Sequence, residues 1–500
     1  MWSTIRQTAT DLLTGMFTTK QPESPAVKLL NRILLVILFV FGMVLWARFL
    51  NYGQIPDDRL DWCIITIPRL SLMQQAVQQG ALPLHVAELD GIKDVSNRYL
   101  AVPDLILSPQ VLLLKWVSVQ SFIVLHVLIL YSAAYWGLLK FKRRYRLSFM
   151  AFTVLFFLFT FNGHIVNHLG IGHLTWGSYF LLPFWILLIL DLAENKEIGW
   201  KWVAKYVLLQ FVIFLQGGYH FFVWFLFFAG LAFFICAKQR KWIGWAIVLS
   251  GLVNAYRLLP AALLHNKIPL NFMTGFPTVD RLFQGLTQLT TLKDAYAKTG
   301  LVDILVWEFD FYIGIIGLVF TVLGGVFLYR NRANRSYSVL IAPMAGMFLL
   351  SIGNFFKPFF DSGLPLLGGE RVSVRFLIVP LCLLFFLAAI QLQTYLEQTI
   401  NRKYLYTTAG IFAALLANDL IHHLGQWDVS IVSQYAAVEF FCKSLTLGFV
   451  EDPPYWVLLS VGFLISLLST SFLTIKVIQN KKALELWKES HEQEIRNSDE

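Results

Sequence analysis

Ten histidines are spread unevenly along this 500-residue chain, and three fall in one short stretch, Phe161-Asn-Gly-His164-Ile-Val-Asn-His168-Leu-Gly-Ile-Gly-His173. His164 and His168 are four residues apart, which places them on one face of a helix. That spacing suits a metal, but zinc needs a third ligand and the stretch has no Asp or Glu. Asn and His at the lip of a cavity equally well hydrogen-bond a polar ligand or brace a loop. His220 follows a glycine pair in Gln216-Gly-Gly-Tyr-His220, and Arg257 lies near the end of an apolar run in Asn254-Ala-Tyr256-Arg257. A charge inside a membrane is costly and has a function or a partner. Arg371 and Arg375, in Glu370-Arg371-Val-Ser-Val-Arg375-Phe376, are four apart at the start of an apolar run. Both can then face one site, where a guanidinium fork suits phosphate; the alternative is that they snorkel to lipid headgroups.

Acids supply the other half of the chemistry. Asp61 is followed by Trp62, Cys63 and a mostly apolar run from Ile64 to Leu72. This reads as a helix lying on the membrane surface with a carboxylate at its start. Such a carboxylate can accept a proton from a hydroxyl. The pair Asp57-Asp58 could equally supply the acid. Asp303, Glu308 and Asp310, grouped near Trp307, could hold a divalent cation. Trp62, Tyr99, Trp176 and Tyr219 could stack on sugar rings or belong to an interfacial aromatic belt. Cys63 and Cys442 could pair, at a distance the sequence does not give.

These residues need elements to hold them, and composition says which kind. The chain is 57% hydrophobic, 16% aromatic and only 14% charged. A soluble domain is about 25% charged, so a soluble, disordered or collagen-like chain is excluded. Four cysteines exclude a disulfide scaffold. A helix needs about 20 apolar residues to cross a bilayer. Twelve apolar runs approach that length, at 29–50, 112–138, 147–163, 175–193, 203–216, 221–237, 242–264, 311–329, 338–353, 374–393, 404–421 and 456–477. The expected fold is an all-α polytopic membrane protein of about twelve spans. Residues 1–28 form a cytoplasmic segment, 29–478 the membrane domain and 479–500 a cytoplasmic tail, with 51–110 as the first outer loop.

Charge agrees with that topology. With both termini inside, the cytoplasmic side holds 25 of the 40 Lys and Arg but 12 of the 31 acids. The outer side holds 15 basic and 19 acidic residues. Short loops biased this way follow the positive-inside rule. The +9 net charge is therefore a topology signal, and no nucleic-acid partner is needed to explain it. The longer loops fall on the outer face, as do eight histidines: His85, His164, His168, His173, His220, His265, His422 and His423. No Asn-x-Ser/Thr site falls on that face, which fits a bacterial plasma membrane.

The stretch Asp61-Trp-Cys-Ile-Ile-Thr-Ile-Pro68, then Gln79-Gly-Ala-Leu-Pro-Leu84, Asn97-Arg98-Tyr99 and Leu107-Ser-Pro-Gln110, resembles the first outer loop of GT-C superfamily glycosyltransferases. Asn162-Gly163-His164 to Gly172-His173-Leu174, Gln216 to His220, and Glu370 to Phe376 resemble the same group. The resemblance implies hexosyl or pentosyl transfer from a polyprenyl-phosphate sugar donor to an acceptor on the outer face. Asp61 would be the base. Arg371, Arg375 and Arg257 would bind phosphate, and His164, His173 and His220 would line the cavity. Membrane lipid is a partner on this reading. Two other functions stand beside it: a non-catalytic GT-C-like subunit with protein partners in the membrane, and a lipid or sugar transporter. A transporter needs a polar path through the midplane, for which His126 and Arg257 are too few.

Overall fold

A computed structural model describes residues 14–19, 24–56, 58, 60–87, 97–102, 104–194, 196, 198–264, 273–291, 293, 306–332, 335–362, 370–398, 402–431 and 444–498. Asp57, Glu88, Asp90, Asp94, His265, Asp303 and Cys442 lie outside them.

Serines between apolar runs start three of the long helices. Ser24, Ser118 and Ser148 each accept a hydrogen bond from the backbone amide three residues on, and the helices Pro25–Phe49, Val119–Arg144 and Phe149–Thr160 begin there. A serine cap satisfies an amide that the first helical turn leaves unpaired. The second of these helices ends on Lys142, Arg143 and Arg144, cations at the negative end of the helix dipole.

Among the described residues, seven helices are long and apolar enough to cross a membrane: Pro25–Phe49, Val119–Arg144, Phe149–Gly170, Leu174–Ala193, Ser373–Leu396, Lys403–Ile431 and Pro453–Lys482. The protein is thus an all-α chain built for a membrane. An eighth crossing results if Arg240–Val253 and Ala255–Leu263, bent by 71°, are one broken span. The remaining apolar runs form the shorter helices Trp200–Leu215, Tyr219–Ile235, Gly314–Arg330 and Tyr337–Leu350. At 1.5 Å per residue these reach roughly 21–26 Å, short of a hydrocarbon core about 30 Å thick. The expectation of twelve full spans is corrected accordingly to seven, or eight with the broken pair. Hydropathy registers an apolar run, and a helix packed against others is as apolar as one that crosses.

Burial separates centre from rim. Phe149–Gly170, Leu174–Ala193 and Ser373–Leu396 are more than four-fifths buried, while Pro25–Phe49, Lys403–Ile431 and Pro453–Lys482 are less than a quarter buried. The three central helices carry His164, His168, Trp176 and Arg375, so the site residues rest on the most buried of these spans.

A small clamp ties the segment between the first two long helices to the last long helix. His85–Val86 pairs antiparallel with Leu447–Gly448. Arg98 donates two hydrogen bonds to Asp452, at 2.6 and 3.2 Å, and His85 Nε2 lies 3.3 Å from the same carboxylate. The Arg98 hydrogen bond, with His85, holds the Asp452 carboxyl below its ordinary value despite partial burial. A lowered folded-state value means that the clamp is fully formed near neutral pH and is lost as pH falls below about 4. Asp452→Asn is expected to cost roughly 1 kcal/mol of unfolding free energy at pH 7. In thermal unfolding of the purified protein, that difference from wild type should disappear near pH 2.

Candidate functional site

The run after Asp61 is helical, with Trp62, Thr66, Leu70, Leu72, Met73 and Ala76 buried against the rest of the chain. Its first turn, Trp62–Thr66, is wound wide as a π turn, and Ile67–Gln78 continues as α-helix. The wide turn docks on the loop after His168. Trp62 Nε1 donates to the Gly170 carbonyl at 2.9 Å, and the Thr66 hydroxyl donates to the Gly172 carbonyl. Gly172 has φ +105°, and a Cβ there would meet the Trp62 amide nitrogen at 2.5 Å and the Asp61 carbonyl carbon at 2.9 Å. Both the backbone conformation and the space require glycine. Gly172→Ala is expected to cost about 1–3 kcal/mol and to part the two segments. A lowered unfolding midpoint checks the first effect, and faster cleavage between the first two long helices by added protease checks the second.

This docking brings Asp61 to His173, whose Nε2 contacts the carboxylate. From there polar side chains follow one another, with a gap in the hydrogen bonding between His168 and Glu308. His173 Nδ1 meets His168 Nδ1 at 2.8 Å. His168 Nε2 faces Glu308 Oε2 at 3.7 Å. Glu308 accepts both arms of the Arg375 guanidinium, one at 2.7 Å. Arg375 Nη1 donates to His220 Nε2 at 3.3 Å, and His220 Nδ1 donates to Glu370 at 2.9 Å. Trp224 Nε1 also donates to Glu370, at 3.0 Å. Trp176 sits amid the chain: His168 stacks on it with centroids 4.0 Å apart, and the Arg375 guanidinium lies 5.1 Å from its ring centre.

Above this chain lies a cavity of about 170 Å³. Ile65, Leu70, Met73 and Leu105 give it an apolar wall; His173, Trp176, His220 and Arg375 form the polar one, with Arg69 and Asp104 between. Arg69 and Asp104 are ion-paired at 3.2 Å.

The residues singled out from the sequence are only partly gathered here. His173, His220 and Arg375 line the cavity, and Asp61 reaches it through His173. His164 lies beneath, buried against His168, Trp176 and Phe311. Arg257 is 1% exposed behind the wall, where it donates to the Asp104 carbonyl at 2.5 Å. Arg371 is not on the cavity. Residues 373–377 are wound as a 3₁₀ helix, and the Arg371 carbonyl instead accepts from Thr274 in an extended bridge. The four-residue spacing of Arg371 and Arg375 therefore gives no shared face. Trp62 and Tyr99 are buried away from the cavity, whereas Trp176, though buried, presents itself in the cavity wall. Cys63 is disulfide-bonded, and Cys236 and Cys382 are free.

Burial by itself would raise the Asp61 carboxyl. The contact with His173, helped by Arg69 and Arg375, outweighs it and holds the group below its ordinary value. Asp61 is therefore an ionised carboxylate at neutral pH, able to take a proton.

Of the acidic group around Trp307, Asp303 lies outside the described residues and the other two carboxylates are already engaged. Glu308 is bound to Arg375, while Asp310 accepts from His423 at 2.9 Å and Trp427 at 3.1 Å. Among the described residues no three His, Cys, Asp or Glu side chains are arranged to hold a metal. Arg69, Asp104 and Glu370 are site residues that the sequence reading gave no role. Arg69 and Asp104 had a signal, as charges interrupting or following an apolar stretch between the first two long helices; the partners of Glu370 come from distant parts of the chain.

The fold and site together define an all-α membrane protein with a carboxylate–histidine–arginine cavity on its central helices. Compared with known proteins, the chain matches no family model, no curated protein and no solved structure.

Proposed function

We propose that the chain is a GT-C-type glycosyltransferase that moves a sugar from a polyprenyl-phosphate donor to a hydroxyl acceptor at the outer membrane face. The observation that carries the reading is Asp61, ionised and paired with His173, which lines one cavity together with the Arg375 guanidinium. Asp61 takes the acceptor proton. Arg375 faces the leaving phosphate, with Arg257 as a reserve of positive potential behind the wall. Attack from the side opposite the phosphate inverts the anomeric centre. The apolar wall of Ile65, Leu70 and Met73 suits a lipid-linked donor. The disulfide at Cys63 supports an outer location, since disulfides persist outside the cytoplasm. The test is Asp61→Asn in a sugar-transfer assay; unchanged transfer with intact expression overturns the assignment.

A second reading, a non-catalytic membrane subunit, is favoured by one feature. Asp61, Glu308, Asp104 and Glu370 each already hold a basic partner on or beside the cavity. A partner protein covering the cavity mouth in a purified complex would favour this reading over catalysis.

A further inference from the structure

One atom stands out. His168 Nε2 is buried without a hydrogen-bond partner, and it points toward Glu308 at 3.7 Å. A buried polar atom left unpaired costs free energy and needs an explanation.

We propose that Glu308 is an exchangeable carboxylate: a phosphate-class anion entering the cavity takes Arg375 from Glu308, and His168 Nε2 receives Glu308 in its place. This rests on the sugar-transfer reading only for the source of the anion. It makes His168 a positioning residue that acts through Glu308.

Asp61 is ionised, so His173 donates to it from Nε2. His173 Nδ1 meets His168 Nδ1 at 2.8 Å, which leaves His168 Nε2 as the ring nitrogen without a partner, aimed at Glu308 and just beyond hydrogen-bond distance. Glu308 is held by Arg375, and Arg375 is the one arginine that both lines the cavity and lies against Trp176 and His220. With Arg375 bound bidentately to a carboxylate, an incoming phosphate meets a cation already neutralised. Moving Glu308 by about 1 Å brings it within hydrogen-bond distance of His168. That movement frees the guanidinium without leaving a buried charge alone, which is the costly outcome. His164 and His220 also face this group, and neither holds Glu308.

The test uses the purified full-length chain, with inorganic phosphate and a short-chain prenyl phosphate as separate probes, read by tryptophan fluorescence. Glu308→Gln removes the competitor, so phosphate is expected to bind about tenfold more tightly. His168→Phe keeps the stacking on Trp176 but cannot receive Glu308, so binding is expected to weaken about tenfold. A structural role alone would weaken both. Weaker binding by Glu308→Gln, or unchanged binding by His168→Phe, overturns the proposal, as does failure of wild type to bind either probe at millimolar concentration. Binding of the prenyl phosphate alone assigns the anion to a lipid headgroup; equal binding of both assigns it to phosphate in general. If either variant fails to fold, 15N-histidine spectra of the wild type decide: the His168 Nε2 signal must move when phosphate binds, and an unmoved signal refutes the exchange. None of these measurements needs sugar transfer, so their failure is separate from failure of the Asp61 assay.

Discussion

Replacing Asp61 by asparagine is expected to lower sugar transfer at least ~100-fold, the scale of a lost general base, while the protein still folds and inserts. The substitution keeps the size of the side chain and its place at the head of the helix that follows. It removes the negative charge that His173 faces and, on the proposed mechanism, the carboxylate basicity that takes the proton. Folding should tolerate it. The docking of the helix rests on Trp62 with Gly170 and Thr66 with Gly172, and neither contact involves the carboxylate. His173→Gln is the companion variant. It leaves Asp61 ionised but badly oriented, so a smaller loss is expected, on the order of 10-fold in turnover with KM little changed. If the two variants lose activity equally, Asp61 serves only to hold His173. If neither loses any, the proton leaves by another route and the site assignment fails. Protein yield and the unfolding midpoint, measured beside transfer, separate a chemical defect from a folded-state defect.

The helix that follows Asp61 was legible because local sequence alone carries the signal: an acid, then a mostly apolar run, just past the first apolar run. The all-α membrane fold was legible from composition and run length for the same reason. The number of crossings was not. Tyr219–Ile235 and Gly314–Arg330 are as apolar as the spanning helices, and only their wound length sets them apart. The spacing of His164 and His168 did place their rings together, 4.7 Å apart. The same spacing failed for Arg371 and Arg375, because it assumes an α-helix where the chain is extended and then 3₁₀. Glu308 shows a further limit. Its neighbours in sequence suggest a cation site, but its partner Arg375 is 67 residues away. Pairing across that separation is decided by packing of the central helices, and no local pattern encodes it.

That long-range pair is where the second large effect is expected. Glu308 and Arg375 are 3% and 13% exposed at their side chains, so neither charge is well solvated. Removing one partner strands the other. Arg375→Met is expected to destabilise the protein by about 3–5 kcal/mol, because a buried carboxylate loses both of its guanidinium bonds. Glu308→Gln should cost less. The amide still accepts one hydrogen bond from Arg375, and the guanidinium keeps its contacts with His220 and Trp176. The double variant Arg375→Met with Glu308→Gln is expected to be more stable than Arg375→Met alone, since it strands no charge. Such non-additivity of neighbours is what a double-mutant cycle measures. Chemical denaturation in detergent micelles gives the cycle directly. Additive losses would mean that each side chain is stabilised by its other neighbours and that the pair itself contributes little. A large coupling would mean that Arg375 is held firmly in the resting protein. Any ligand that recruits it must then supply a charge to replace Glu308, and that condition favours an anion over a neutral sugar as the species Arg375 receives.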